Sequence, residues 1–194
     1  MAVTQTTPPA IKPVSEEELK AHLRVTSSAE DPEISAALEA AIAEIDGTGL
    51  LGRAMITQQF TQMSVPVASA RDIELDITPA QSLDAVELVK RDGTIEAPDL
   101  AGFELISDGE RAWIRAASGW PSDLESRPDA IRLTFTAGFG DTADDVPPTL
   151  RAAVKLLAAH RFEIRDEVVI GTITSQIPRG VDHLINLHRI RRFS

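Results

Sequence analysis

The residues with the strongest potential for chemistry are Gly138-Phe139-Gly140-Asp141-Thr142-Ala143, which fit the spacing G-x-G-x-x-[GA]. In a dinucleotide site this turn joins a strand to a helix, and backbone amides at the helix start hold a pyrophosphate. A strand pattern does precede the turn, because Ile131, Leu133, Phe135 and Ala137 alternate with Arg132, Thr134 and Thr136. The residues after the turn argue against phosphate. Asp141, Asp144 and Asp145 bring three carboxylates to the place where the anion would sit, and Pro147 and Pro148 delay the helix. Too little chain remains for the next βαβ unit of such a fold. The motif reads as a structural turn from a strand into a helix.

The other candidates for chemistry are weaker. The four histidines are His22, His160, His183 and His188. His183 and His188 are five apart and do not share a helix face, unlike the i, i+4 pair of a zinc helix. His160 and Glu163 lie one turn apart but have no obvious third ligand. Without cysteine there is no thiol nucleophile, thiolate metal site or disulfide. No G-x-S-x-G or Walker lysine motif occurs, and nothing singles out an acid/base pair among thirty carboxylates. No catalytic residue, cofactor or metal is therefore expected. The remaining feature is a basic C-terminal end, Arg189, Ile190, Arg191, Arg192 and Phe193, which reads either as a docking peptide for a partner surface or as a frayed, solvated end.

Charge supports two distinct surfaces. From Arg151 onward the chain holds eight Lys and Arg against four Asp and Glu, so the first 150 residues carry 11 against 26 of the totals of 19 and 30. An acidic body with a basic end suits two different partners and opposes tight sequence-independent DNA binding, which needs phosphates neutralised by cations. The start MAVTQTTPPAIKP has no basic n-region and no apolar h-region, so no secretory signal is expected. No apolar run approaches the ~20 residues needed to span a bilayer.

Periodicity supplies the scaffold. Residues 1–14, with little apolar content and tandem prolines, are expected as a flexible arm. Ser15 with Glu18 forms a capping box for a helix over 16–25. Asp31 as N-cap and Pro32 at the first helical position open a second helix, with Ile34, Leu38, Ile42 and Ile45 as its stripe and Gly47 and Gly49 as its end. From about 53 to 139 the period becomes two. Strands carrying Ile73, Leu75 and Ile77, a hairpin around Asp108-Gly109, and a similar turn at Asp92-Gly93 predict a mostly antiparallel sheet, sandwich or barrel. A long helix over 149–165 buries Leu150, Val154, Leu157, Ala158 and Phe162. A short apolar stretch occupies 168–173, and a last amphipathic helix is expected over 181–193. The predicted class is α+β: a helical core of about four helices (15–52 and 140–194, ending in the docking tail) with an inserted β domain (53–139).

The order of these blocks resembles the head-to-tail connector (adaptor) proteins of tailed phages. EELKAHLR at 17–24, Glu30-Asp31 opening an Ala-rich helix, and the Thr48-Gly49 exit form one block. LTFTAGFG at 133–140, Val146-Pro147, Leu150, Ala152, Ala153, Val154, LAAH at 157–160 and FEIR at 162–165 form the other. This second block is similar to the subgroup found in gene transfer agents, whereas the region 53–127 carries no matching motif. The resemblance implies a structural protein and not an enzyme, with twelve copies in a ring beneath a portal protein. The ring would extend the DNA channel toward a downstream tail-connecting (stopper) protein, and the C-terminal segment would dock on the portal. DNA would pass through without sequence-specific binding, no membrane would be involved, and the chain would be made in a bacterial cytoplasm and end in a virion or phage-like particle. Ring closure needs two different complementary faces on each subunit. The alternatives are a small cofactor-binding enzyme using the Gly138–Gly140 turn, or a generic protein-interaction module.

Overall fold

The computed structural model describes residues 2–66, 71–164 and 178–190. The first helix, α1 (Glu16–Leu23), starts at the expected capping box. The Glu18 amide donates to Ser15 Oγ at 3.1 Å, and the Ser15 amide donates to the Glu18 carboxylate at 3.0 Å. Helix α2 (Asp31–Ile45) has Pro32 in its first turn, but Asp31 is not its cap. Glu30 holds that position without a side-chain bond, and the Asp31 carboxylate takes the Lys20 ammonium at 2.5 Å instead. A full opposite charge on the neighbouring helix outcompetes a backbone amide for this carboxylate.

Helix α3 (Pro148–Glu163) begins directly after Pro147 and buries Leu150, Ala153, Val154, Leu157 and Ala158. Helix α4 (Arg179–Asn186) corrects the expected span 181–193: it starts directly after Pro178 and ends at Asn186. Only Val181 and Ile185, one turn apart, are buried along it, so no apolar stripe extends the helix further. The stretch 168–173 lies outside the described residues. Ile34, Leu38 and Ile45 of α2 meet Leu19, Leu150, Val154, Val181 and Ile185 in one apolar cluster that also takes in Leu51, Met55 and Ile56.

Among the described residues eight strands follow one another as β1 (Ala2–Thr7), β2 (Gln58–Ser64), β3 (Asp72–Glu74), β4 (Ala80–Val89), β5 (Ile95–Glu96), β6 (Phe103–Ser107), β7 (Ala112–Ala116) and β8 (Ile131–Ala137). They form a five-stranded sheet ordered β1-β2-β8-β4-β5 and a three-stranded sheet ordered β3-β7-β6, with every pairing antiparallel. Strict alternation in β2 and β8 puts Phe60, Leu133 and Phe135 on the inner face, where they meet Ile73, Ala112 and Ile114 of the second sheet. The Phe60 and Phe135 rings stack with centroids 6.0 Å apart. Polar residues share the inner face of β2, where Gln58, Gln62 and Ser64 are buried beside Phe60. Gln62 is fully buried, donates to the Glu74 carbonyl at 2.8 Å and accepts from the Asp76 amide at 2.7 Å, which fastens the end of β3 to β2. Its amide is satisfied by backbone groups, as burial requires.

The flexible arm expected over 1–14 is corrected in the same region. Ala2–Thr7 is an edge strand paired along β2, Val3 packs on the sheet core, and Val14 is fully buried among the helices. Lys12 binds Glu16 at 3.0 Å and Glu39 at 3.1 Å. Four β-branched residues in six suit an edge strand, and the backbone bonds to β2 offset the ordering entropy that composition alone could not.

The two parts are joined by a pair of adjacent straps. The outgoing strap bonds at Ala54 N to Thr78 O (2.9 Å) and Thr57 N to Gly140 O (2.9 Å), while the returning one bonds at Gly138 N to Pro79 O (2.9 Å) and Phe139 N to Met55 O (3.2 Å). Gly138 has φ 154°, and a Cβ on it would lie 2.5 Å from Thr57 N and 2.6 Å from Thr57 Cα. Beside the straps Asp46 accepts from the Met55 amide (2.7 Å) and from Gln58 Nε2 (2.8 Å), while burial pushes its carboxyl above the ordinary range. At the far end of α4, His188 Nε2 and Thr149 Oγ1 lie 2.6 Å apart, closing α4 against the start of α3.

Gly138→Ala forces backbone against backbone and is expected to cost about 2–3 kcal/mol, seen as a fall in Tm of roughly 5–10 °C. Gly102→Ala, where a Cβ meets open space, leaves Tm nearly unchanged. Burial first, and the Arg53 charge second, hold the His188 imidazole below its ordinary value of 6.5. The unfolded chain therefore takes up this proton first as pH falls, so His188 stabilises the fold above about pH 6.5 and progressively less below it. The Tm advantage of wild type over His188→Gln should shrink between pH 7.5 and 5.5 in thermal melts; an advantage that grows as pH falls would contradict this assignment.

Candidate functional site

Three amides of the glycine turn are committed to the chain itself. The amides of Gly138 and Phe139 donate to the neighbouring segments, and the Thr142 amide and hydroxyl donate to the Asp145 carboxylate at 2.9 and 2.8 Å. A Cβ on Gly140 would overlap that carboxylate, with Asp145 Cγ at 2.4 Å. Asp145 thus closes its own turn, its carboxyl held below the ordinary range chiefly by the Thr142 amide and hydroxyl. Asp144 accepts from Arg151 at 3.0 Å, and the same guanidinium bonds Glu18 of α1. The loop between β8 and α3 is therefore tied to two helices. Asp141 is exposed and forms no ion pair among the described residues.

The histidines are dispersed. His22 and His183 are exposed, His160 is half-buried on α3, and His188 serves the contact with Thr149. Among the described residues no group of three His, Cys, Asp or Glu is placed to hold a metal ion.

The basic end starts from a defined place. Arg189 N donates to Ile185 O at 3.0 Å, completing the last turn of α4. Arg189 is exposed and Ile190 half-buried, and both wall an open cavity of about 670 Å³ together with Val3, Leu50 and Ile77. Arg191, Arg192 and Phe193 lie outside the described residues. The wall brings together the N-terminal strand, the loop after α2, the segment before β4 and the end of α4. No local pattern signals that convergence, because the wall residues are far apart in sequence and meet only through sheet pairing and helix packing. Arg53, in the outgoing strap, is buried with its Nε unpartnered, and burial holds its guanidinium below the ordinary value although Glu110 and Asp108 oppose that shift.

Half of the sixteen cations among the described residues are spent internally. Lys12, Lys20, Lys90, Arg115, Arg127, Arg132, Arg151 and Arg161 all form ion pairs within the chain. Each exposed pair contributes little stability, about 0–1 kcal/mol. Their effect on the surface field is larger, since the carboxylates left over set its sign. Arg189 forms no ion pair among the described residues, so the start of the tail presents positive charge beside an acidic body.

No family model and no curated protein matches the chain. Solved structures do. The chain aligns over 100% of its length with 98% of a chain in the neck of an empty GTA particle computed with C6 symmetry, at 30% identity and a TM-score of 0.76. It aligns equally completely with a chain in the virion of a native gene transfer agent (GTA) particle, at 28% identity and a TM-score of 0.79. A chain in the neck of a native GTA particle computed with C12 symmetry matches at 25% identity, with a TM-score of 0.72 and the same coverage. The fold is thus shared from end to end, and the chain belongs to the head-to-tail adaptor family of tailed phages and gene transfer agents, in the gene transfer agent subgroup.

Proposed function

We propose that this chain is a structural adaptor in the neck of a phage-like particle, made in a bacterial cytoplasm and assembled between the portal and the tail. The observation that carries the reading is the end-to-end match to neck chains, at up to 30% identity. It acts as a building block and not as an enzyme. Twelve copies form a ring, a number supported by the C12 symmetry of one matching neck. The ring extends the DNA channel from the portal toward a stopper protein on the tail side.

Charge supports the channel role. A net charge of −11, with cations engaged in ion pairs, gives DNA few partners with which to exchange its counterions, so the duplex passes without adhering. The basic end has the opposite character. Arg189, Ile190, Arg191, Arg192 and Phe193 are the portal-docking segment, combining three cations with two apolar side chains that suit a partner surface. The segment leaves from α4, whose end is fixed by the contact between His188 and Thr149, so the tail is presented from a rigid base.

Removing residues 189–194 should leave the circular dichroism spectrum and Tm of the body near wild type, because among the described residues neither Arg189 nor Ile190 belongs to the buried core. Retention on an immobilised portal ring should fall by about tenfold or more, equivalent to at least ~1.4 kcal/mol. A folded truncation that binds the portal like wild type would remove the tail from the docking role.

A further inference from the structure

The outer face of the three-stranded sheet carries a second set of groups that the tail does not use. Strand β7 points Ala112, Ile114 and Ala116 into the core, so Trp113 and Arg115 lie on the opposite face. Antiparallel register arranges that face in two rows. One reads Asp72, Arg115, Glu104 across β3, β7 and β6, and the other reads Glu74, Trp113, Ile106. In the first row the Arg115 Nε and Nη2 donate to the two oxygens of Asp72, each at 2.8 Å, which neutralises that pair. Glu74 and Glu104 form no ion pair among the described residues, so the face retains two negative charges around a half-buried indole.

The two tryptophans differ in a telling way. Trp120 donates its Nε1 hydrogen to the Arg71 carbonyl at 3.1 Å and packs on Phe103 with centroids 5.4 Å apart. Trp113 has neither a hydrogen-bond acceptor nor an aromatic neighbour among the described residues, and it borders an open cavity of about 460 Å³ with Ile106 and Glu74. A bulky indole kept on an outer face beside an aliphatic side chain has the composition of an interface anchor.

We propose that this face is a docking surface for an arginine- or lysine-bearing segment of a different protein of the particle. The proposal rests on the neck reading above. Charge complementarity selects the occupant. A cation laid over the Trp113 ring gains from the π face and from Glu74 and Glu104 on either side, while its aliphatic stem covers Ile106. Nucleic acid is repelled by the same carboxylates. A second copy of this chain is the poorer donor, since eight of its cations are held in its own ion pairs and the basic end is given to the portal in the reading above.

Hydroxyl-radical footprinting of the wild-type chain, read by mass spectrometry of its Trp113 peptide, tests the assignment in the isolated chain, in rings of the chain alone and in intact particles. Trp113 oxidation should slow about fivefold or more in particles only, as expected for a desolvated anchor. Equal oxidation in all three states overturns the docking surface, and protection already present in rings of the chain alone reassigns it to contact between copies and overturns the choice of partner. In parallel, Trp113→Ala and the double variant Glu74→Lys, Glu104→Lys, checked for native melting, should each lower the yield of tailed particles about tenfold, whereas Trp113→Phe keeps most of it. Wild-type yield from both folded variants overturns the proposal. Absence of the wild-type chain from purified particles is a different result, which would sink the neck reading itself.

Discussion

The fold depends on the closeness of two backbone straps where the β part is inserted into the helical part. Residues 54–57 leave the helices and residues 138–140 return to them, and the straps are hydrogen-bonded to each other and to Thr78 and Pro79. Such an approach is possible only because Gly138 has no Cβ to meet the Thr57 backbone. Met55 and Ile56 enter the helical cluster from one side of this junction, while Ala54 and Ala137 enter the sheet cluster from the other. Two separate apolar cores are thereby held in fixed relation, which a component that transmits contacts between neighbours in an assembly requires.

The same junction gives a sequence motif associated with nucleotides a structural use. Small residues are needed wherever backbone approaches backbone, and the G-x-G-x-x-A spacing serves that need without a ligand. Asp145 occupies the space beside Gly140 and satisfies the Thr142 amide, a task that an anion performs at a phosphate-binding turn.

Much of the scaffold was legible in the sequence because it is set locally. The capping box at Ser15, the stripe through Ile34, Leu38 and Ile45, the hairpin at Asp108-Gly109 and the alternation in β8 all depend on near neighbours. What was hidden depends on long-range pairing. β1 is a strand only because β2 offers it an edge, and Gln62 is tolerated in a core only because Glu74 and Asp76 supply its partners. Asp31 left its expected cap position because Lys20, eleven residues away, presents a full charge. The candidate docking surfaces divide in the same way: the basic end showed in composition, whereas the wall formed by Val3, Leu50 and Ile77 and the rows around Trp113 exist only once strands are in register.

The proposed adaptor role draws on these features: two cores joined at one junction, half of the described cations paired within the chain, and a basic end that follows α4. The most direct measurement of this claim is electron cryo-microscopy of the assembled particle at a resolution that traces side chains. The account predicts a closed ring of this chain at the head–tail junction, with residues 189–194 seated against the portal. A neck complete without this chain, or the chain present elsewhere in the particle and not as a ring, would contradict it.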